Sequence, residues 1–263
     1  MFDSGVGGLT VLHECLVSLP HEDFLYLGDD ARFPYGARSA EELRDHVSQI
    51  TSYLLSRGAK LLVIACNSAA SAGLEAAREI AERDGVEVVA VVEPESEIAA
   101  AVSQSGRVGV LATPATVRSG AYLKALARQG RPLTITEVEA PDLAAVIQRG
   151  FPFDESVVEM VRAYCEPLER ARVDTVILGC THYPLVAPML QRTLGRDVRL
   201  VTGGHGVAAK VQRILQERSL AAAPGAAEGD YSFACTGDPE AFRELGTRFL
   251  QLPLGEVELV TLP

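Results

Sequence analysis

The stretch Thr175 to Val186, T-V-I-L-G-C-T-H-Y-P-L-V, constrains the fold more than any other part of the chain. Its first residues, Thr175 to Leu178, form a short apolar run of the kind buried on both faces of a parallel sheet. The run stops at Gly179, and Tyr183-Pro184 opens an apolar helical stretch. Cys180, Thr181 and His182 therefore fall on a strand-to-helix turn, where free backbone N–H groups and the helix dipole favour an anion. The same arrangement occurs earlier, where strand Leu61 to Ala65 leads through Cys66-Asn67-Ser68 into an Ala-rich helix. The sequence has to account for two thiols at two equivalent turns.

Strands and helices alternate around these two turns. The pattern predicts strands at Asp23–Leu27, Leu61–Ala65, Val86–Val92, Arg107–Ala112, Leu133–Glu139, Thr175–Leu178, Val198–Val201, Tyr231–Cys235 and Glu256–Val260. The strand that should precede Asp3 is nearly absent. Ser39, with Glu42 three residues on, makes a capping box for a helix reaching Arg57. Further helices are expected from Cys66 to about Asp84, over Pro94–Ser105, from Thr113 to Arg128, over Glu155–Ala171, from Tyr183, over Gly206–Arg218 and over Pro239–Leu250. The Ala/Pro/Gly stretch Leu220 to Gly229 reads as a linker.

Such alternation predicts an α/β protein with mostly parallel sheets flanked by helices. A reactive turn followed later by a cysteine turn occurs twice: Asp3-Ser4 then Cys66, and Thr113 to Thr116 then Cys180. This implies an approximate internal duplication giving two similar lobes. The first comprises residues 1–92 plus 203–263 and the second residues 93–202. Ligands of such sheets bind beyond the carboxyl ends of the strands, so the active site is expected in the cleft between the lobes.

Several kinds of chemistry are disfavoured. A net charge of −11 argues against a broad nucleic-acid footprint. No apolar run reaches the ~20 residues of a membrane span, and M-F-D-S-G has no secretory character. The cysteines, Cys15, Cys66, Cys165, Cys180 and Cys235, are odd in number and show no C-x-x-C pair, which suits free thiols in a reducing cytoplasm. No histidine spacing suggests a metal, and none of Lys60, Lys124 and Lys210 sits at a reactive turn where pyridoxal phosphate would need it. The chain is expected to use no cofactor.

The simplest reading of a free cysteine is a small buried apolar residue. That reading suits Cys15, Cys165 and Cys235, which fall inside helices or a strand. Cys66 and Cys180 differ, because each stands at a helix start, where a thiol pKa should drop from about 8.5 toward neutrality. His182 could hold or receive a proton two residues from Cys180, or could merely cap a helix. Asp3 could be an N-cap, a proton partner for Cys66, or a counter-charge for a substrate ammonium. Asp29 and Arg32 read as a loop ion pair worth little if exposed. A single thiol with a histidine would suggest acyl transfer. Two thiols across a cleft suggest instead that one removes a proton from carbon while the other supplies one from behind. The N–H groups of Asn67-Ser68 and Thr181-His182 would then stabilise the charge on the intermediate.

D-S-G-V-G-G-L-T (Asp3–Thr10), G-D-D-A-R-F-P-Y-G (Gly28–Gly36), A-C-N-S-A (Ala65–Ala69), T-P-A-T-V-R-S-G-A-Y (Thr113–Tyr122), G-C-T-H-Y-P-L (Gly179–Leu185) and T-G-D-P-E-A-F (Thr236–Phe242) together resemble the glutamate racemases. The resemblance covers nearly the whole chain. It implies a cofactor-independent enzyme that interconverts L- and D-glutamate and supplies D-glutamate for peptidoglycan. It also implies that Cys66 acts on the D-enantiomer and Cys180 on the L-enantiomer, with Asp3 and His182 assisting their neighbouring cysteines. Ser4, Tyr35, Gly36, Asn67, Ser68, Thr113, Thr116 and Thr181 would join Asp3 and His182 in binding substrate. A cytoplasmic homodimer with no nucleic-acid or membrane partner is implied as well. Four positions depart from the pattern: Gln148 stands where a carboxylate often lies, Thr202-Gly203 replaces Asp-Ser, and Ser68 replaces threonine. The nearest rival is an aspartate racemase, and a non-catalytic amino-acid-binding module would leave both thiols idle.

Overall fold

The computed structural model describes residues 1–150, 154–223 and 225–263. The chain opens with β1 (Phe2–Asp3), α1 (Leu9–Ser18), β2 (Phe24–Gly28), α2 (Ala40–Ser56) and β3 (Leu61–Ile64). It continues with α3 (Asn67–Glu82), β4 (Glu87–Ala90), α4 (Val92–Val102), β5 (Arg107–Ala112), α5 (Pro114–Ser119) and α6 (Ala121–Ala127). Next come β6 (Thr134–Glu139), α7 (Leu143–Gln148), α8 (Glu155–Arg170), β7 (Thr175–Gly179), α9 (Ala187–Leu194) and β8 (Arg199–Val201). Helix α10 (Gly204–Glu217), β9 (Tyr231–Cys235), α11 (Pro239–Leu250) and β10 (Val257–Leu259) complete it. Among the described residues, no helix is long and apolar enough to cross a membrane.

The strands form two sheets, ordered β10-β9-β2-β1-β3-β4 and β6-β5-β7-β8. Every pairing in both is parallel. The segments β2-β1-β3-β4 and β6-β5-β7-β8 share one topology. In each, the first strand is central, the second lies on one side, and the third crosses to the other. That crossing leaves a crevice at the carboxyl ends of the first and third strands, where such sheets hold ligands. Asp3-Ser4 and Cys66 follow the first and third strands of one sheet; Thr113 and Cys180 follow those of the other. The expected duplication is thus visible as repeated strand order. β1 is only two residues long, but it pairs on both sides through Phe2 with Leu27 and Ile64, and through Asp3 with Gly28.

Local chemistry explains where elements depart from expectation. A single helix was expected from Thr113 to Arg128; it is divided at Gly120, whose φ of 65° is left-handed and ends α5. The helix expected from Tyr183 is a 3-10 turn over Tyr183–Val186, with α9 starting only at Ala187. Pro188 lacks the N–H that would bond the carbonyl of Pro184, which disfavours one continuous α-helix here. Helix α4 begins at Val92, two residues before Pro94, because a proline early in the first turn forfeits no intrahelical bond. The described residues between 220 and 229 form no helix or strand, although Ala222 N–H bonds Glu22 and Gly229 N–H bonds the Pro20 carbonyl; Pro224 lies outside the described residues.

Helix α2 buries Leu43, Val47, Ile50 and Leu54, an i, i+4, i+7, i+11 stripe. Its start carries the full capping box: Glu42 N–H donates to Ser39 Oγ at 3.2 Å, and Ser39 N–H donates to Glu42 Oε2 at 2.9 Å. Ser39→Ala is expected to lower stability by about 1 kcal/mol, read as a lower denaturant midpoint at unchanged m-value.

Candidate active site

Asp3 ends β1 beneath the first cysteine turn. It is fully buried, with Oδ2 accepting from Gly5 N–H at 3.2 Å and Oδ1 accepting from Thr181 Oγ1 at 3.3 Å. Burial pushes Asp3 from the ordinary 3.8 up to about 6 despite these donors. Cys66 is the N-cap of α3, its Sγ accepting from Ala69 N–H at 3.5 Å and lying 3.6 Å from Ser4 Oγ. The helix start was expected to pull this thiol toward neutrality. Burial, reinforced by the Asp3 charge, instead pushes it up to about 12. The thiol is therefore the favoured form at neutral pH, and desolvation outweighs the helix dipole here.

The second turn is built differently. Cys180 lies 3.9 Å from His182 Nδ1, and only a 3-10 turn follows it, so it lacks the full helix dipole expected there. Burial pushes its thiol well above the ordinary range, with Cys66, Asp3 and Glu95 adding to the shift. His182 Nε2 lies 2.7 Å from Gln148 Oε1. An amide oxygen only accepts, so Nε2 carries the proton and Nδ1 is left with a lone pair toward Cys180. Burial holds His182 down to about 3, and Phe33 and Phe249 flank the ring at 5.5 and 5.3 Å. The imidazole is therefore neutral and of one tautomer. Gln148, where sequence suggested only a missing carboxylate, is the group that fixes it.

The Gly-rich turn after Asp3 was read as an approach for ligand. Its tightest contact is with the other cysteine turn: a Cβ on Gly7 would lie 2.4 Å from Thr181 Oγ1 and 2.5 Å from His182 Nδ1. Only glycine lets these turns meet.

A small cavity of about 40 Å³ lies between the turns, and both Cys66 and Cys180 border it. Ser4, Asn67, Ser68, Thr181 and His182 share its wall. Tyr35, Gly36 and Thr113 close the far end. There Ser68 Oγ is 2.8 Å from Thr113 Oγ1, which is 3.1 Å from Thr116 Oγ1. Thr116 is buried behind Thr113 and off the wall, as is Asp3, which lies between Cys66 and Thr181. The Tyr35 hydroxyl is committed to Asp29. Asp29 is no part of an exposed loop pair. It is fully buried and also accepts from Arg32 Nε at 2.6 Å and Thr236 Oγ1 at 2.8 Å, anchoring the Tyr35-Gly36 turn. Cys15, Cys165 and Cys235 are buried in α1, α8 and β9.

Sequence reasoning missed Glu95 and its bonds to Asn67 and Tyr122. One signal was present: Glu95 lies three residues after Val92 and four before Ala99, a carboxyl inside an apolar helical stripe.

Two duplicated parallel sheets, each ending in a thiol-bearing turn on one buried cavity, define an α/β enzyme of the racemase type. A family model described as "Asp/Glu/Hydantoin racemase" matches residues 11–212, and the chain belongs to that family. It is an isomerase, a racemase. The chain is 44% identical over 260 residues to a glutamate racemase of Mycobacterium tuberculosis, covering 99% of this chain and 94% of that protein. A glutamate racemase structure from Bacillus anthracis superposes with a TM-score of 0.93 at 35% identity, covering 100% of this chain and 96% of that one. A second, from Francisella tularensis in complex with D-glutamate, gives 0.91 at 29% identity, covering 99% and 95%.

The raised Asp3 carboxyl has a consequence for stability. Between its ordinary value of 3.8 and about 6, the folded state binds more protons than the unfolded chain, so Asp3 stabilises less as pH rises through that window. Asp3→Asn removes this slope and is expected to raise stability at pH 7.5 by about 1–3 kcal/mol while impairing catalysis. Thermal melts of both proteins at pH 4 and pH 7.5 check the sign.

Proposed function

We propose that this chain is a glutamate racemase that works without a cofactor by proton transfer between two cysteines. One observation carries the reading: Cys66 and Cys180 border the same cavity, each from the corresponding turn of a duplicated sheet. Likeness over nearly the full chain to glutamate racemases, one of them holding D-glutamate, supports the substrate. The lobes take residues 1–92 plus 203–263 and residues 93–202, with the cleft between them.

Asp3 accepts the Cys66 proton, which suits its position behind the sulfur better than a counter-charge role on the cavity wall. The incoming substrate ammonium favours the thiolate that burial otherwise suppresses. Cys66 then removes the Cα hydrogen of D-glutamate, leaving a planar intermediate with its charge on the α-carboxylate. Backbone N–H groups at Asn67-Ser68 and Thr181-His182 stabilise that charge. Cys180 delivers its proton to the opposite face, giving L-glutamate, and neutral His182 Nδ1 serves Cys180 in the reverse direction. After each passage Cys66 is again a thiol, Asp3 holds the proton it took and Cys180 is left as thiolate, so the site is reset by proton exchange between them and solvent or by the opposite reaction. Ser4 and Thr181 orient the amino-acid end. The uncharged hydroxyls of Ser68 and Thr113, with Thr116 behind them, and the Tyr35-Gly36 backbone receive the side-chain carboxylate. The product fits D-glutamate supply for peptidoglycan in the cytoplasm, by an enzyme acting as a homodimer.

Cys66→Ala and Cys180→Ala are each expected to abolish racemisation of glutamate, with aspartate a poor substrate for the wild type. Polarimetry on both amino acids reads this, and a fully active single variant excludes the two-thiol reading. Because protonated Asp3 cannot take the Cys66 proton, kcat/KM from D-glutamate should fall below about pH 6. A profile flat down to pH 4.5 would remove Asp3 from the mechanism.

A further inference from the structure

Behind the cavity wall lies a carboxyl that this mechanism does not use. Glu95, on the first turn of α4, is only 2% exposed. Its Oε2 accepts from Asn67 Nδ2 at 3.0 Å and from the Tyr122 hydroxyl, and Asn67 Nδ2 also donates to Tyr122 Oη at 2.7 Å. Three side chains from α4, α3 and α6 thus close a buried triangle without a cation. A carboxyl in such a place is costly, and burial pushes it up to about 8, so it is mostly uncharged at neutral pH. The fold makes room for it. A Cβ on Gly203 would come within 2.9 Å of Glu95 Oε1 and 2.1 Å of Val91 Cγ2.

The consequence falls on Asn67. A side-chain amide has two N–H donors and one carbonyl acceptor. Both contacts to Glu95 and Tyr122 leave Asn67 through Nδ2, and a turned-over amide would forfeit them unless Glu95 and Tyr122 reversed their roles to become donors. Asn67 Oδ1 is therefore held away from the triangle, and Asn67 borders the cavity shared by the two cysteines. A carbonyl oxygen there accepts from an ammonium group, whereas an amide nitrogen would repel it.

We propose that Glu95 is a positioning residue which, with Tyr122, locks the Asn67 amide so that its carbonyl oxygen receives the α-ammonium of the substrate. The proposal rests on the reading of the chain as a glutamate racemase. It goes beyond that reading by making affinity depend on a residue that never touches substrate. Glu95→Gln keeps a carbonyl oxygen for the two donors; Glu95→Leu fills the space without one; Tyr122→Phe removes one corner at nearly constant volume.

Steady-state kinetics with D- and L-glutamate, alongside thermal melts, test this. Glu95→Leu and Tyr122→Phe are expected to raise KM by about tenfold, the worth of one hydrogen bond to a charged group, with a much smaller change in kcat. Glu95→Gln should restore KM to near the wild-type value. In an Asn67→Ala background, Glu95→Leu should add nothing further. Wild-type KM in Tyr122→Phe and in folded Glu95→Leu would overturn the proposal, as would a KM shift that persists without the Asn67 side chain. Wild-type protein with no glutamate turnover would overturn the functional reading itself, and the inference with it.

Discussion

Desolvation of three acidic groups in one small space is the constraint on which the rest depends. Cys66 and Cys180 border one small cavity with Asp3 buried beside them, and burial raises the pKa of each. No cation lies among the hydrogen-bond partners of the three groups. At rest the site therefore keeps its protons. A positively charged ammonium entering the cavity changes that balance, because an opposite charge favours the ionised thiol more strongly in a low-dielectric setting than in water. In the proposed mechanism, substrate binding and nucleophile activation become a single event. This suits an enzyme whose thiols must not react idly with other electrophiles.

The duplicated sheet supplies the geometry. Placing the first strand centrally and sending the third across it opens a crevice at the same point in each half. The reactive residues on the two sides then differ in detail. Asp3, a carboxyl of raised pKa, is buried beside Cys66, while a neutral His182 held by Gln148 stands beside Cys180. One side works through a carboxylate of raised pKa and the other through an imidazole of lowered pKa. Near neutral pH the carboxyl is largely ionised and the imidazole neutral, so each offers a free acceptor, with the carboxylate the stronger base of the two.

Much of this was legible in the residues. Strands Arg107–Ala112 and Tyr231–Cys235 and helix Pro239–Leu250 fall where periodicity put them, because turn residues or a capping Asp238 bound each. The Ser39 and Glu42 capping box is local chemistry and was readable for that reason. So were the two cysteine turns, since an apolar strand ending in polar residues is a short-range pattern. Local reading failed where two residues far apart in sequence decide the outcome. Burial of both thiols reverses the pKa expected from a helix start, and no window around Cys66 reveals how deep it lies. Gln148 bonding His182, Asp29 holding Tyr35, and Glu95 clamping Asn67 are likewise tertiary pairings. The Gly7 contact with Thr181 shows the same limit: the glycines were conspicuous, but their partner was another turn.

The central claim is that the hydrogen taken from one face of Cα is not the one returned to the other. Racemisation of L-glutamate in deuterated buffer, followed by proton NMR and chiral separation during the first few per cent of reaction, tests this directly. The account predicts D-glutamate carrying deuterium at Cα, while the remaining L-glutamate still holds its original hydrogen. D-glutamate that retained the substrate's own hydrogen would mean one group serving both faces, and would contradict it.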